Sequence, residues 1–289
     1  MSSLARTAPR FNICLVQFAH SMAWWELAEV ICFSLRDLGY EAKVQHRLVE
    51  KSCTNILLGA FLLKPEFMHQ IPADSIFFNT EQLTLDDQTA NWPSSIYEWA
   101  RNFETWDYSD RNIEKFRSLG IHGVKKFELG YQRELTRIET APTQDIDVFF
   151  YGSVGERRKT IINRLRDAGL AVTAIFNIYG KERDALISRS KIILNCHHYN
   201  SQIFEVVRVF YCLTNSKAVV GEVNSTTSID SLFLQCIKPA NYESLVDACK
   251  FLIANDDARL DLEKKAFNLF SSVAQSEHTA RVLQPGAAG

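Results

Sequence analysis

The stretch that decides the fold is Asp147-Val-Phe-Phe-Tyr-Gly-Ser-Val-Gly-Glu-Arg-Arg158, near the middle of the chain. Its first five residues are typical of a buried β-strand, and the small residues that follow predict a turn into a helix. Ser153 and Glu156 have the spacing of a capping box, so we expect the helix to begin at Ser153. A strand, a tight turn and a helix in this order predict a unit of a parallel α/β fold.

The same turn has the chemistry of an anion site. Gly152 and Gly155 allow the backbone to approach a ligand closely, and the free amides at a helix start favour negative charge. Arg157 and Arg158 lie in the first helical turn, where positive charge opposes the helix dipole. A bound phosphate would offset that cost. The alternative is an ordinary turn between a strand and a helix, with two solvated arginines and no ligand.

Strand and helix patterns alternate on both sides of this stretch. Predicted strands cover 11–18, 41–46, 55–63, 75–79, 125–129, 147–151, 170–176, 191–195 and 217–221. Predicted helices cover 24–38, 94–101, 109–119, 156–168, 181–190, 202–214, 241–254 and 257–273. A polar segment with a proline, 137–145, separates the two halves. The sequence therefore predicts an α/β fold with two Rossmann-like domains, 10–136 and 146–275, that face a cleft.

Composition narrows the class of protein. The net charge is -2 with both signs interspersed, which weighs against a nucleic-acid partner. No apolar run reaches the ~20 residues of a membrane span, and the first ten residues lack the apolar core of a secretory signal. We expect a cytoplasmic protein, with peripheral contact to a membrane left open.

Cysteine and histidine patterns give no sign of a metal site. The seven cysteines are dispersed without a C-x-x-C pair, so we expect reduced, buried thiols. Cys196-His197-His198 is the densest cluster, but adjacent histidines on a strand point to opposite faces. The sequence therefore predicts no bound metal.

Polar residues follow several apolar strands of the first half. They are His20, Asn79, Glu81, Asp107 and Tyr108, and ligands of parallel sheets lie outside the carboxyl ends of strands. Each of these residues is a candidate for chemistry, and each is also an ordinary loop cap in the alternative interpretation. Trp24 and Trp25 are candidates for stacking on a sugar, or for packing in the core.

Glu205 and Arg208 are three residues apart on a predicted helix and share a face. Core residues occupy the opposite face, so the charged face is directed towards solvent, a partner or a ligand. An ion pair without function is one interpretation. The other is that the carboxylate binds a ribose diol and the arginine binds phosphate, with Glu222 on the same edge.

Several of these segments resemble the GT-B glycosyltransferases. In the second half they are the Gly152-Ser153 to Arg158 turn, Leu194-Asn-Cys-His-His-Tyr199, Phe204-Glu-Val-Val-Arg208 and Val219-Val-Gly-Glu222. In the first half they are Phe78-Asn-Thr-Glu-Gln-Leu83, Trp106-Asp-Tyr-Ser109 with Asn112, and Leu129-Gly-Tyr131. The resemblance covers roughly residues 75–225 and is greatest to a bacterial, family 1-like group that is uncharacterised or associated with polysaccharides.

The resemblance implies transfer of a sugar from a nucleotide-sugar to a glycan or another hydroxyl acceptor. The donor would lie against the second half and the acceptor against the first. Glu205 would bind the donor ribose, and the diphosphate would face Gly152, Ser153 and Arg157 or Arg158. His198, Tyr199 and Arg208 complete the set that is expected to bind the donor nucleotide.

The implied chemistry needs no cofactor besides the nucleotide-sugar donor and no metal, because arginines and helix-start amides would neutralise the leaving diphosphate. Glu81 and His20 are the candidate bases on the first half, with Asp107 behind them. The sequence differs from the family in one feature. It lacks the E-x7-E pattern, because no acidic residue lies eight positions from Glu205. The stereochemistry of transfer is therefore left open.

Two other functions fit the same residues. One is a nucleotide-binding or sugar-binding protein of the same fold without catalysis, which the missing second carboxylate favours. The other is a nucleotide-sugar epimerase, which needs no acceptor. A donor hydrolysis assay separates the first from a transferase, and product analysis without acceptor separates the second.

Overall fold

The computed structural model of the chain describes residues 9–16, 21–83, 94–199 and 202–284. Within these ranges the strands are β1 Arg10–Leu15, β2 Glu41–His46, β3 Thr54–Leu58, β4 Ile76–Asn79, β5 Glu104–Asp107, β6 Val124–Lys126, β7 Ile146–Tyr151, β8 Val172–Ile175, β9 Ser190–Asn195, β10 Ala218–Glu222 and β11 Lys238–Ala240. The α-helices are α1 Trp25–Asp37, α2 Ser95–Asn102, α3 Asp110–Ser118, α4 Glu156–Asp167, α5 Gly180–Ser188, α6 Val206–Thr214, α7 Ser231–Gln235, α8 Leu245–Ala254, α9 Asp256–Ser271 and α10 Gln275–Leu283. Short 3-10 helices cover Ser21–Trp24, Ala60–Leu62, Pro65–Gln70, Arg133–Leu135 and Tyr242–Ser244.

The chain divides into two units, and each contains its own parallel sheet with flanking helices. The first unit holds the described residues up to 128 together with 275–284, and the second unit holds 129–274. The predicted α/β class with two Rossmann-like halves is confirmed. The predicted domains, 10–136 and 146–275, differ from these units in two places. Residues 129–136 lie in the second unit instead of the first, and α10 lies in the first unit.

The first sheet has six strands in the order β2-β1-β3-β4-β5-β6, and all neighbours are parallel. At its carboxyl edge Asn79, the last residue of β4, is in register with Asp107, the last residue of β5. Parallel neighbours in register point their side chains to the same face, so these two polar residues lie side by side.

The second sheet has five strands in the order β11-β10-β9-β7-β8, again all parallel. Residues of β7, β9 and β10 alternate between two buried faces, as expected for a sheet that helices cover. One core packs these strands against α4 and α8, and its members include Phe150, Ile161, Leu194, Val220 and Cys249. This core fixes the carboxyl ends of β7, β9 and β10 next to one another.

Several element boundaries differ from the sequence predictions. The third strand ends at Leu58 instead of 63, because Gly59 has φ +78° and the apolar residues that follow form a 3-10 helix. A Cβ at Gly59 would lie 2.5 Å from the Trp24 ring, so only glycine fits there. The helix predicted over 202–214 begins at Val206. The helix predicted over 156–168 begins at Glu156, three residues after the start that the capping box at Ser153 predicted.

Helix α10 had no sequence prediction. Its buried residues are mostly polar, Gln275, His278 and Thr279 with Val282, so it lacks the apolar stripe by which helices are recognised. It is held in the first unit by hydrogen bonds: Thr279 contacts Ser34 of α1, and Gln275 donates to the Glu128 carbonyl.

All seven cysteines are free and buried, as the sequence predicted. Among the described residues, no helix is long and apolar enough to cross a membrane.

Candidate functional site

The carboxyl ends of β7, β9 and β10 form one edge of the second sheet, and most of the sequence-predicted site residues gather there. Tyr151, Asn195 and Glu222 are the last residues of these strands. The loop after β7 leads into α4, and the loop after β9 leads towards α6. We call this group of loops and strand ends the donor edge.

The turn after β7 has the open geometry that the sequence predicted, but not the predicted cap. Gly152 has φ +132°, a conformation that L side chains rarely adopt. Gly155 is the N-cap residue of α4 and no side chain caps the first turn, so the capping box expected at Ser153 is wrong. The capping pattern is absent because the backbone stays extended at Gly155, two residues beyond Ser153. In the described part of the chain, the first amides of α4 are therefore left without a capping side chain.

Arg158 is buried at the donor edge, with only 3% of the residue exposed. Its Nε donates to the Cys196 carbonyl at 2.8 Å, and its two terminal nitrogens donate to the Ser153 carbonyl and the Glu205 carboxylate, each at 2.9 Å. The guanidinium also lies 5.1 Å from the centre of the Phe150 ring. Arg158 thus joins the loop after β7, the loop after β9 and the residue before α6.

Glu205 accepts four hydrogen bonds in this arrangement. Arg158 donates to Oε1 at 2.9 Å and the His198 backbone amide donates to the same oxygen at 3.2 Å. Asn195 donates to Oε2 at 2.9 Å, and His197 Nδ1 lies 3.2 Å from that oxygen. A carboxylate has about four lone-pair directions, so all of them are used.

These partners also set the charge of Glu205. Burial acts to raise the pKa of Glu205, but the hydrogen bond and charge of His197, together with Arg158 and Arg208, outweigh it and lower the pKa to about 2. The carboxylate is therefore ionised throughout the neutral range, as an acceptor of hydroxyl or amide hydrogens must be.

Arg157 makes the second ion pair of the donor edge. Its terminal nitrogens donate to both oxygens of Glu222, which is fully buried, while 31% of the Arg157 side chain is exposed. The guanidinium lies 4.0 Å from the centre of the Tyr242 ring. Burial acts to raise the pKa of Glu222, but Arg157 and His197 outweigh it and lower the pKa. Arg157 is thus the more accessible of the two adjacent arginines.

Arg208 is the third arginine of the donor edge. It does not form the predicted ion pair with Glu205. Glu205 precedes α6 instead of lying on it, and Arg208 donates to Asn195 Oδ1 at 2.7 Å. A Cβ at Gly152 would lie 2.7 Å from the Arg208 Nη2 atom. Because Gly152 has no side chain, the Arg208 guanidinium can approach the backbone of the turn after β7, which the sequence predicted to bind phosphate.

His198 and Tyr199 lie in the loop after β9, with their rings edge-to-face at 4.5 Å. Burial and the charge of Arg158 lower the pKa of His198. Its Nδ1 atom has no hydrogen-bond partner within the described residues, and a Cβ at Gly155 would lie 3.2 Å from its Cε1 atom. The second glycine of the turn thus leaves room for the His198 ring.

The structure adds two residues that the sequence analysis did not assign. Asn195 links Glu205 to Arg208, and Tyr242 donates from its hydroxyl to the Arg157 carbonyl. Asn195 was recognisable as a polar residue that ends an apolar strand. Tyr242 carries no local signal, since only the fold brings it to α4.

The candidate bases of the first unit are only partly described. His20 lies outside the described residues. Glu81 follows β4, and burial raises its pKa to about 7, although the residue as a whole is partly exposed. Burial also raises the pKa of Asp107 to about 7. Two carboxyls that titrate near neutral pH therefore lie at one edge of this sheet.

The two tryptophans have different surroundings. Trp24 is buried and packs edge-on against Phe61, as a core residue does. Trp25 is partly exposed and stacks on His46 with the ring centres 5.4 Å apart. Within the described part of the chain, no group of three or more His, Cys, Asp or Glu residues is arranged to hold a metal.

No protein-family model matches the chain. Among curated proteins it is similar to two uncharacterised proteins of Acanthamoeba polyphaga mimivirus. It is 28% identical to L140 over 194 residues, which are 63% of this chain and 60% of that protein. It is 24% identical to L138 over 185 residues, which are 63% of this chain but only 16% of that protein. The chain thus matches less than two thirds of the length of these relatives.

Solved glycosyltransferase structures share the fold at low sequence identity. Anabaena HepE in complex with UDP and glucose is 9% identical, with a TM-score of 0.65 over 95% of this chain and 98% of that one. An alpha-glucosyltransferase in complex with UDP and a 13-mer DNA containing an HMU base is 10% identical, with a TM-score of 0.65 over 96% and 100% of the two chains. T4 phage BGT in complex with UDP-glucose is 11% identical, with a TM-score of 0.56 over 94% and 97%.

The chain therefore has the GT-B fold, as the resemblance implied. The assignment to a bacterial, family 1-like group stays a prediction, and the curated relatives are viral.

Proposed function

We propose that the protein is a glycosyltransferase that moves a sugar from a UDP-sugar to a hydroxyl acceptor. The observation that carries this proposal is the donor edge, where three arginines and an uncapped helix start surround a glycine turn. Nucleoside diphosphates are bound by such groups, because guanidinium groups and free amides both donate to phosphate oxygens. The likeness to solved structures that contain UDP supports the choice of nucleotide.

The three arginines are proposed to have different roles. Arg208 and Arg157 are partly exposed and are assigned to the diphosphate, together with the amides of the turn from Gly152 through Ser153. Arg158 already donates to two carbonyls and to Glu205, so we assign it to holding the loops in place.

The ribose is proposed to bind at Glu205, with His198 and Tyr199 beside it. Two of the four hydrogen bonds to this carboxylate, from His197 and from the His198 amide, are longer, at 3.2 Å. Ribose hydroxyls can take the place of these longer donors without loss of the Arg158 pair. The charges of Arg158 and Arg208, which also lower the pKa of Glu205, are kept in that exchange and favour the ionised carboxylate.

Glu81 is proposed as the general base of a direct displacement. Its pKa, raised to about 7 by burial, is close to the pH at which a base is most effective. In that step Glu81 takes the proton of the acceptor hydroxyl while the acceptor oxygen forms a bond to the anomeric carbon. The bond from that carbon to the UDP oxygen breaks, and its electron pair leaves with UDP. His20 remains the second candidate, with Asp107 behind both.

Transfer without a metal is part of the proposal. Positive charge at the donor edge comes from guanidinium groups and helix-start amides, which stabilise a leaving diphosphate electrostatically. Transfer that is unchanged by EDTA supports this part, and transfer that needs added Mg²⁺ or Mn²⁺ overturns it. We further propose a cytoplasmic enzyme that acts on a glycan or another hydroxyl acceptor, with no nucleic-acid partner.

The test is release of UDP from UDP-glucose, with GDP-glucose as a matched donor of different base, measured with and without a panel of oligosaccharides. The proposal expects UDP release that rises when an acceptor is present and a glycosylated product. Binding of UDP without any release would instead support the non-catalytic alternative. One observation favours that alternative: both carboxylates of the donor edge, Glu205 and Glu222, are tied to arginines. Conversion of the donor to an isomeric nucleotide-sugar would support an epimerase.

A further inference from the structure

The segment that carries Glu81 is held by side chains instead of by a sheet or helix. Residues 81–83 follow β4 and have neither helical nor strand structure. The Glu81 amide donates to Asn79 Oδ1 at 3.2 Å, and the Glu81 carbonyl accepts from Asn79 Nδ2 at 2.9 Å and from Asn112 Nδ2 at 2.8 Å. The Leu83 amide donates to Asn112 Oδ1 at 2.8 Å. Both peptide groups of Glu81 are therefore fixed by two asparagines from different elements.

Asp107 determines the orientation of both asparagines. Its Oδ2 accepts from Asn79 Nδ2 at 2.6 Å and from Asn112 Nδ2 at 3.0 Å, and its Oδ1 accepts from the Ser109 amide at 2.8 Å. The described groups that face the Asp107 oxygens are donors, namely the NH2 groups of both asparagines and the Ser109 amide, so each asparagine directs its NH2 group towards Asp107. The amide oxygens are then left to accept from the backbone of 81–83.

Because these residues are buried, any change in their hydrogen bonds costs free energy. Asn79, Asp107 and Asn112 are all fully buried. A misdirected amide in such a place would leave donors and acceptors unmatched, and water is not available to replace them. Within the described residues, the Glu81 carboxylate accepts a hydrogen bond from Thr80, which donates to Oε1 at 3.3 Å. The asparagines thus hold the backbone of Glu81 and do not bind its carboxylate.

We infer that Asp107 is a positioning residue, which fixes the Glu81 carboxylate for reaction through the amides of Asn79 and Asn112. This inference rests on the proposed function, because it assigns a purpose to the geometry only if Glu81 acts on an acceptor hydroxyl or on water. Asp107 itself touches no reacting atom. Its effect on catalysis therefore has to disappear when Glu81 is no longer a base.

That requirement gives a double-variant test. UDP release from UDP-glucose is measured for wild type, Glu81→Gln, Asp107→Asn and the variant with both changes, and UDP affinity is measured by calorimetry. Glu81→Gln should lower kcat by about 10²–10⁴-fold, the usual effect of a general base. Asp107→Asn places an NH2 group against the NH2 groups of both asparagines or, with its amide turned, against the Ser109 amide. In either orientation kcat should fall about 10²-fold, as for small misplacements of a catalytic group.

The decisive comparison is the double variant. We expect no further loss of kcat, within about twofold, when Asp107→Asn is added to Glu81→Gln, since residues that act as a unit are not additive. UDP affinity should equal that of wild type in all four proteins. Asn102→Ala, which removes an exposed asparagine from α2, should leave kcat unchanged. A further large loss in the double variant, or wild-type kcat in Asp107→Asn, overturns the inference.

If thermal unfolding shows that Asp107→Asn does not fold, Asn112→Ala replaces it in the test. It removes the bonds to the Glu81 carbonyl and the Leu83 amide while Asn79 still binds Asp107. A fall in kcat of about tenfold or more that vanishes in the Glu81→Gln background supports the inference, and unchanged kcat overturns it. If wild type neither binds UDP nor releases it from UDP-glucose, the proposed function fails and the inference with it. Failure of the inference alone leaves wild-type release intact.

Discussion

Arg158 and Glu205 form an ion pair at the carboxyl edge of the second sheet, with a nitrogen–oxygen distance of 2.9 Å and side-chain exposures of 4% and 11%. The pair joins the first turn of α4 to the residue that precedes α6. Removal of one partner from a buried pair leaves the other charge uncompensated, which is more costly than loss of both partners.

Arg158→Met should therefore lower the free energy of unfolding by about 3–5 kcal/mol. Addition of Glu205→Gln should restore part of the loss, because the unpaired carboxylate is then gone. Arg164→Met is the matched control, since Arg164 lies on the same helix in an exposed pair with Glu243 and should cost less than about 1 kcal/mol. Urea denaturation followed by circular dichroism measures all four proteins. Equal costs for the two arginine variants would contradict this account of the pair.

The lack of a side chain at Gly152 gives a second prediction. Gly152→Ala would place a methyl group 2.7 Å from Arg208 Nη2, so the guanidinium has to move and UDP binding should weaken. Gly169→Ala is the control, because Gly169 also has a positive φ, +84°, but no atom lies within 4 Å of the new Cβ. The control variant should lose stability, by roughly 1–2 kcal/mol for the positive φ, yet retain UDP affinity. Equal UDP affinity in both alanine variants would show that Arg208 does not depend on Gly152.

The pH dependence of stability gives a third prediction. Burial raises the pKa of Glu81 and Asp107 to about 7 from the ordinary values of 4.5 and 3.8. Between the ordinary values and about 7, the folded protein retains protons that the unfolded chain has lost. The contribution of these groups to the free energy of unfolding therefore decreases as the pH rises through this window, and is constant above it.

Glu81→Gln removes the contribution of Glu81 to this pH dependence of the free energy of unfolding. Urea denaturation at several pH values from about 5 to about 8 should show the variant gaining stability relative to wild type as the pH rises. Glu243→Gln is the control, because the Glu243 side chain is 78% exposed, and its difference from wild type should not follow that trend. A difference between Glu81→Gln and wild type that is independent of pH would contradict the raised pKa of Glu81.

The sheet architecture was predictable because apolar strand runs such as 147–151 and 191–195 form both faces of a covered sheet, and their pattern is local. Helix α10 was not, since its buried face consists largely of Gln275, His278 and Thr279. The predicted capping box at Ser153 failed because spacing alone does not reveal that the backbone remains extended up to Gly155.

The membership of the donor edge was predictable from residues that follow strands, including Arg157, Arg158 and Glu205. The ion-pair partners were not predictable. The helical spacing of Glu205 and Arg208 predicted a pair between these two residues. The structure instead pairs Glu205 with Arg158, 47 positions away, and Arg157 with Glu222, 65 positions away. Such partners depend on which strands are neighbours in the sheet, and the sequence of one chain does not specify that order.

The most direct test of the central claim, a nucleoside diphosphate site at the donor edge, is calorimetric titration of UDP into wild type, Arg208→Gln and Arg164→Gln. GDP, TDP and ADP serve as competitors of the same class, and CMP serves as a monophosphate. The account predicts that UDP binds wild type and Arg164→Gln equally, and that it stabilises both by about 2.7 kcal/mol at one hundred times the dissociation constant. Arg208→Gln should bind at least about tenfold more weakly, as expected for loss of a hydrogen bond to a charged group. Absence of UDP binding to wild type, or wild-type affinity in Arg208→Gln, would contradict the claim.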